Sequence, residues 1–126
     1  MACKQETREI RGKQVYCKQW NASASLEMQS RMLATLGDYC LSFVMGDWDF
    51  QGLMFVLEKA NTKMFEGFVR QCCIGVRVDN KEITSTNFDV EFSGDIFFIY
   101  EVFSFVLQVN FKDFFVEGLT EKEPSQ

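Results

Sequence analysis

The chain has no histidine anywhere in its 126 residues and only one proline, Pro124, close to its end. Without imidazole, Ser-His-Asp and Cys-His nucleophilic sites and Cys/His zinc sites are excluded. Basic charge is also scarce: thirteen Lys and Arg stand against eighteen Asp and Glu, for a net charge of −5. No basic stripe is present that would release counterions from a phosphate backbone, so nucleic acid is not expected as a partner. There is no Gly-rich phosphate loop, no CxxC pair, and no secretory signal in the polar opening "MACKQETREIRGK". Five cysteines, at positions 3, 17, 40, 72 and 73, make an odd number. Cys72 and Cys73 adjoin, and neither a helix nor a strand points two neighbours at each other, so free thiols packed as small apolar groups are expected.

What the chain has in excess is phenylalanine. Fourteen Phe lift the aromatic share to 15%, and "DIFFIYEVFSFVLQVNFKDFF", residues 95–115, holds seven of them. A membrane span needs about 20 nearly uncharged residues, and this run is broken by Glu101, Ser104, Gln108, Asn110 and Lys112-Asp113. It reads instead as an α-helix capped by Asp95. Glu101, Ser104, Gln108 and Lys112 step by three or four residues into one thin polar stripe. Opposite lie Ile99, Phe103 and Val106, assigned to the core with Asn110 on the same face. Beside the stripe run Phe97, Tyr100, Leu107, Phe111 and Phe115, a mostly aromatic ridge. Such a helix is either wrapped on all sides or keeps one flank for a partner.

The remainder supplies a setting for that helix. Ile10, Val15, Tyr16 and Cys17 around Arg11-Gly12-Lys13 predict a hairpin, and Val76, Val78 and Ile83 around Asp79-Asn80 predict a second. Between them, "NASAS" introduces a helix over 24–36 whose Leu26, Met32, Leu33 and Leu36 recur at near-helical spacing before Gly37. "DYCLSFVM" predicts a short buried helix. "DWDFQGLMFVLEKAN" predicts another, capped by Asp47 or Asp49 and weakened by Gly52, and "TKMFEGFVRQCC" lines one face with Phe65, Phe68, Val69 and Cys72. Asp89 and Glu91 alternate with Phe88, Val90 and Phe92 along a possible strand.

The expected fold class is α+β: a small antiparallel sheet from two hairpins packed against several helices, with a long apolar C-terminal helix. One domain, 1–126, is expected, folded over about 7–118, with 119–126 a polar tail lacking fixed structure. Met28, Met32, Met54 and Met64 either fill gaps in the core or join the phenylalanines in an adaptable apolar groove for an amphipathic helix.

Two stretches resemble a known family. "NFDVEFSGD", the long apolar helix and then "VNFKDFF" are similar to the C-terminal part of the tail assembly chaperones of long-tailed bacteriophages. In that family an F-D-x-x-F-x-G element precedes a helix ending in an N-F-x-x-F-F-like run. "REIRGKQVYCKQWNASASLEMQSRMLATLG" resembles the family's opening, a hairpin with Gly at its turn leading into a helix that ends Leu-Gly. The two parts cover about half of the chain.

The resemblance implies a non-enzymatic protein without cofactor or metal, working in the cytoplasm of the bacterial host and absent from the mature virion. It would coat the phage tape measure protein and help bring tail tube protein to it. Phe97, Tyr100, Leu107, Phe111 and Phe115 are the candidate partner-binding residues. In several members a ribosomal frameshift appends a second domain, and "EGLTEKEPSQ" is where such an extension would start. The alternative reading is a phage or prophage structural protein that uses the same aromatic flank to self-associate as a homo-oligomer.

Overall fold

The computed structural model describes residues 4–121. Strands β1 (Gln5–Ile10) and β2 (Lys13–Lys18) pair antiparallel, with Ile10 opposite Lys13. The two-residue loop between them has positive φ at both Arg11 and Gly12, the turn whose twist suits a right-handed hairpin. The second hairpin, β3 (Arg77–Val78) and β4 (Lys81–Glu82), turns through Asp79 and Asn80, again both at positive φ. Pairing of β2 with β3 joins the two into one four-stranded antiparallel sheet of order β1-β2-β3-β4. Asp79 secures the join: its N–H donates to Gln14 O at 2.8 Å and its Oδ1 accepts from Gln14 N at 2.9 Å. The expected α+β class is therefore observed.

The helices begin where short polar side chains cap orphan N–H groups. Asn21 opens α1 (Ala22–Leu36) by accepting from Ala24 N; Asp49 opens α3 (Phe50–Lys59) through Gly52 N; Asn61 opens α4 (Thr62–Cys73) through Met64 N. A 3-10 turn, Gly37–Tyr39, and the short α2 (Cys40–Met45) lie between α1 and α3. Asp95 Oδ1 accepts from Phe98 N at 3.1 Å, the cap expected for the long helix α6 (Ile96–Glu121).

Two expectations change. Residues 88–92 are not a strand: Phe88–Glu91 form a four-residue helix, α5, whose single turn buries Phe88 and Phe92 together with ring centroids 5.1 Å apart. The inner face of α1 is Met28, Met32 and Leu36, at i, i+4 and i+8, while Leu26 and Leu33 face outward. Helix α6 is described as far as Glu121, and residues 122–126 of the expected tail lie outside the described residues.

Helix α6 is the axis of the fold. Helices α2 and α4 and strands β1 and β2 all pack against it. From Phe98 to Phe111 nearly every apolar side chain is sealed, including Val102, Phe103, Phe105, Val106 and Leu107. Phe103 is the hub: its ring lies 5.2 Å from Phe43, 5.7 Å from Phe68 and 6.5 Å from Phe65. Full burial of one such ring is worth about 1.5–3 kcal/mol, and edge-to-face pairs add to it.

Three of the four side chains in the polar stripe of α6 are engaged as well, while Lys112 is exposed. Buried Ser104 donates to Phe43 O at 2.8 Å and accepts from Gln108 Nε2 at 3.2 Å; Gln108 Oε1 in turn accepts from Arg8 at 3.2 Å. Arg8 lays its guanidinium 4.5 Å above the Phe105 ring. Arg11 pairs with Glu101 at 2.6 Å and sits 5.1 Å from the Phe97 centroid. The first hairpin thus seals this flank of α6 with arginines, whose planar heads suit aromatic faces. No buried side-chain N or O atom among the described residues lacks a hydrogen-bond partner.

Candidate functional site

Titratable chemistry has little to work with. Cys17, Cys40, Cys72 and Cys73 are free and buried; Cys3 lies outside the described residues. Burial raises all four thiols, Cys17 and Cys73 to about 12. They are therefore neutral and inert as nucleophiles. Among the described residues no group of three or more His, Cys, Asp or Glu side chains is placed to hold a metal ion. Nor is any helix among them long and apolar enough to cross a membrane. The carboxylates singled out in the sequence have local tasks: Asp49 caps α3, while Asp89 and Glu91 pair with Arg70 and Lys81.

What remains is apolar surface, and it is not laid out as the ridge on α6 suggested. Phe97 is 39% exposed, its ring 5.8 Å from Trp48. Tyr100 is half-buried beside Phe65, and burial raises its phenol. Leu107 and Phe111 are sealed, Phe111 under the Trp20 ring at 5.8 Å. Phe115 is half-buried against Phe114. The five share a face of the helix but not a surface. Trp20 is held over its middle by its backbone N–H, which donates to Asn110 Oδ1 at 2.9 Å.

The last turns of α6 differ from its middle. From Lys112 to Thr120 every side chain but Phe115 is exposed, so Phe114, Val116 and Leu119 stand in solvent. One anchor near the start of this projection is the Lys4–Asp113 pair at 3.3 Å.

The larger open area is α3. Only Leu53 and Val56 of this helix are buried, while Phe50, Met54, Phe55 and Leu57 are each 40–58% exposed. Phe50, Met54 and Leu57 recur at i, i+4 and i+7, one stripe turned away from the core. Gly52 permits the docking of the opposite face: a Cβ there would collide with the Tyr39 ring and hydroxyl. The methionines split accordingly, Met28 and Met32 into the core, Met54 and Met64 onto the surface. The signal for α3 lay in "FQGLMFVLEK", which has six large apolar side chains in ten residues, more than one helix face can bury.

A family model described as phage tail assembly chaperone protein, TAC, matches residues 11–121. No curated protein and no solved structure matches the chain significantly.

Proposed function

The chain belongs to the phage tail assembly chaperone family, and from that premise we propose that it keeps the tape measure protein soluble by covering its apolar helical segments during tail assembly. A tape measure is a long helical chain with more apolar surface than it can bury alone. A companion for it needs lasting apolar surface of its own, tolerance of varied sequence, and an acidic exterior that resists aggregation. One observation carries the reading: with every buried side-chain N and O atom of the described residues paired, the domain still holds Phe50, Met54, Phe55, Phe114, Val116 and Leu119 in solvent. Of the α6 ridge, Phe97, Tyr100 and Phe115 are the residues with surface to offer; Leu107 and Phe111 support them from within. Delivery of tail tube protein to the coated tape measure, action in the host cytoplasm and absence from the finished particle belong to the same proposal.

The test is coexpression with the tape measure protein of the same phage. The soluble fraction of the tape measure should rise several-fold, and a double change of Phe114 and Leu119 to Ser should reduce the gain without lowering the chaperone's melting temperature. A tape measure equally insoluble with and without the chaperone sinks the reading.

A further inference from the structure

We propose that α3 is a seat for an amphipathic helix of another protein whose apolar side chains are flanked by Lys or Arg. The inference rests on the reading that the chain binds another polypeptide, and it adds where that happens and what chemistry is selected. On a helix, four residues spaced i, i+3, i+4 and i+7 surround a hole that accepts a side chain from a facing helix. Gln51, Met54, Phe55 and Glu58 have this spacing, and together with Leu57 they line one shallow depression on the surface. All five are exposed, and α3 is anchored from its other side by Leu53 and Val56. The depression has an apolar floor with an amide at one end and a carboxylate at the other. That is a receptor for one bulky apolar side chain, with a charge preference beside it.

The charge decides the occupant. The lining of the depression carries one charge, Glu58; the loop leading into α3 adds Asp47, and the single cation of the helix is Lys59. Lys59 lies over the Phe55 ring at 5.4 Å, and neither Asp47 nor Glu58 forms an ion pair among the described residues. A second copy of this chain would bring the same excess of acid against itself, an opposition that costs affinity. A helix with Lys or Arg beside its apolar stripe answers both features of the seat.

Two synthetic helical peptides, identical in their heptad-spaced Leu and differing only in flanking Lys or Glu, test this against the purified full chain by fluorescence anisotropy. The Lys peptide should bind about tenfold tighter or more, with a preference that shrinks as salt is added. Met54→Asp should weaken its binding by about tenfold or more, and Glu58→Lys should turn the preference toward the Glu peptide. Leu26→Asp, on the outer face of α1, should change nothing; circular dichroism confirms that each variant is folded. Equal binding of both peptides, or full affinity in Met54→Asp, overturns the proposal. So does a dimer in light scattering that Met54→Asp dissolves, because a second copy would then hold the seat. A Met54→Asp chaperone that still solubilises the tape measure would sink the seat alone, whereas a parent protein that never does so would sink the function.

Discussion

Between Phe98 and Phe111, α6 carries four phenylalanines, none more than 3% exposed; α3 carries two in ten residues, Phe50 and Phe55, both more than half exposed. Composition does not separate these helices, since each is apolar on more than one face. What separates them is the number of sides on which other elements stand. Helix α6 has α2, α4 and the first hairpin all packed against it, so even Gln108 and Glu101 of its polar stripe are engaged, by Arg8 and Arg11. Helix α3 is docked along one face only, through Leu53, Val56 and the approach of Tyr39 to Gly52. Surplus apolar side chains stabilise the fold where the chain can wrap them and become binding surface where it cannot.

If that contrast is correct, one kind of substitution has opposite consequences in the two helices. Phe103→Ala empties the space at the meeting point of Phe43, Phe65 and Phe68 and should cost about 3–5 kcal/mol in urea unfolding. Phe55→Ala, on α3, should stay within about 0.5 kcal/mol. A loss at Phe55 comparable to that at Phe103 would mean that α3 is packed far more tightly than its exposure indicates.

Alkali probes the sealed region by another route. Cys17 and Cys73 are pushed by burial from 9.0 to about 12, so in the folded state they hold protons that the unfolded chain gives up near pH 9. The stability they contribute is complete below pH 9 and declines as pH rises toward about 12. The melting temperature should therefore be level through neutrality and drop above pH 9, less steeply in Cys17→Ala. A parent and a Cys17→Ala variant with superimposable alkaline profiles would remove the thiols from the explanation.

Local chemistry is legible in the sequence, and tertiary cover is not. The Gly12 turn, the Asp95 cap and the inward face of α4 follow from residues within a few positions of one another and are observed, while among the candidates that the sequence offers for α1 and α3 the caps fall to Asn21 and Asp49. Residues 88–92 misled because alternation and a single helical turn look alike over five residues. Leu26 and Leu33 suggested the wrong face of α1, since two apolar stripes compete there and only contact with α4 and α2 selects Met28, Met32 and Leu36. The accessibility of the α6 ridge depends on Trp20, some 90 residues earlier in the chain. On α3 the warning was the excess itself, together with a glycine whose purpose appears only with Tyr39 in place.

That glycine gives the smallest and sharpest test of how α3 is held. In an exposed helix Gly→Ala gains about 1 kcal/mol through backbone entropy. At position 52 the added methyl would meet the Tyr39 ring, and forcing an extra carbon into an occupied space costs about 1–3 kcal/mol. The clash should win, so that Gly52→Ala lowers stability by about 1 kcal/mol, within the difference of those two terms. Tyr39→Ala will itself cost stability through lost contact with Phe43, whose ring lies 5.5 Å away, but in that background the methyl has room and Gly52→Ala should change sign and stabilise. The reversal between backgrounds, read from a double-mutant cycle, is the quantity of interest. Were Gly52→Ala to stabilise the parent as much as the Tyr39→Ala variant, Tyr39 would not be the clamp, and α3 would be attached by Leu53 and Val56 alone.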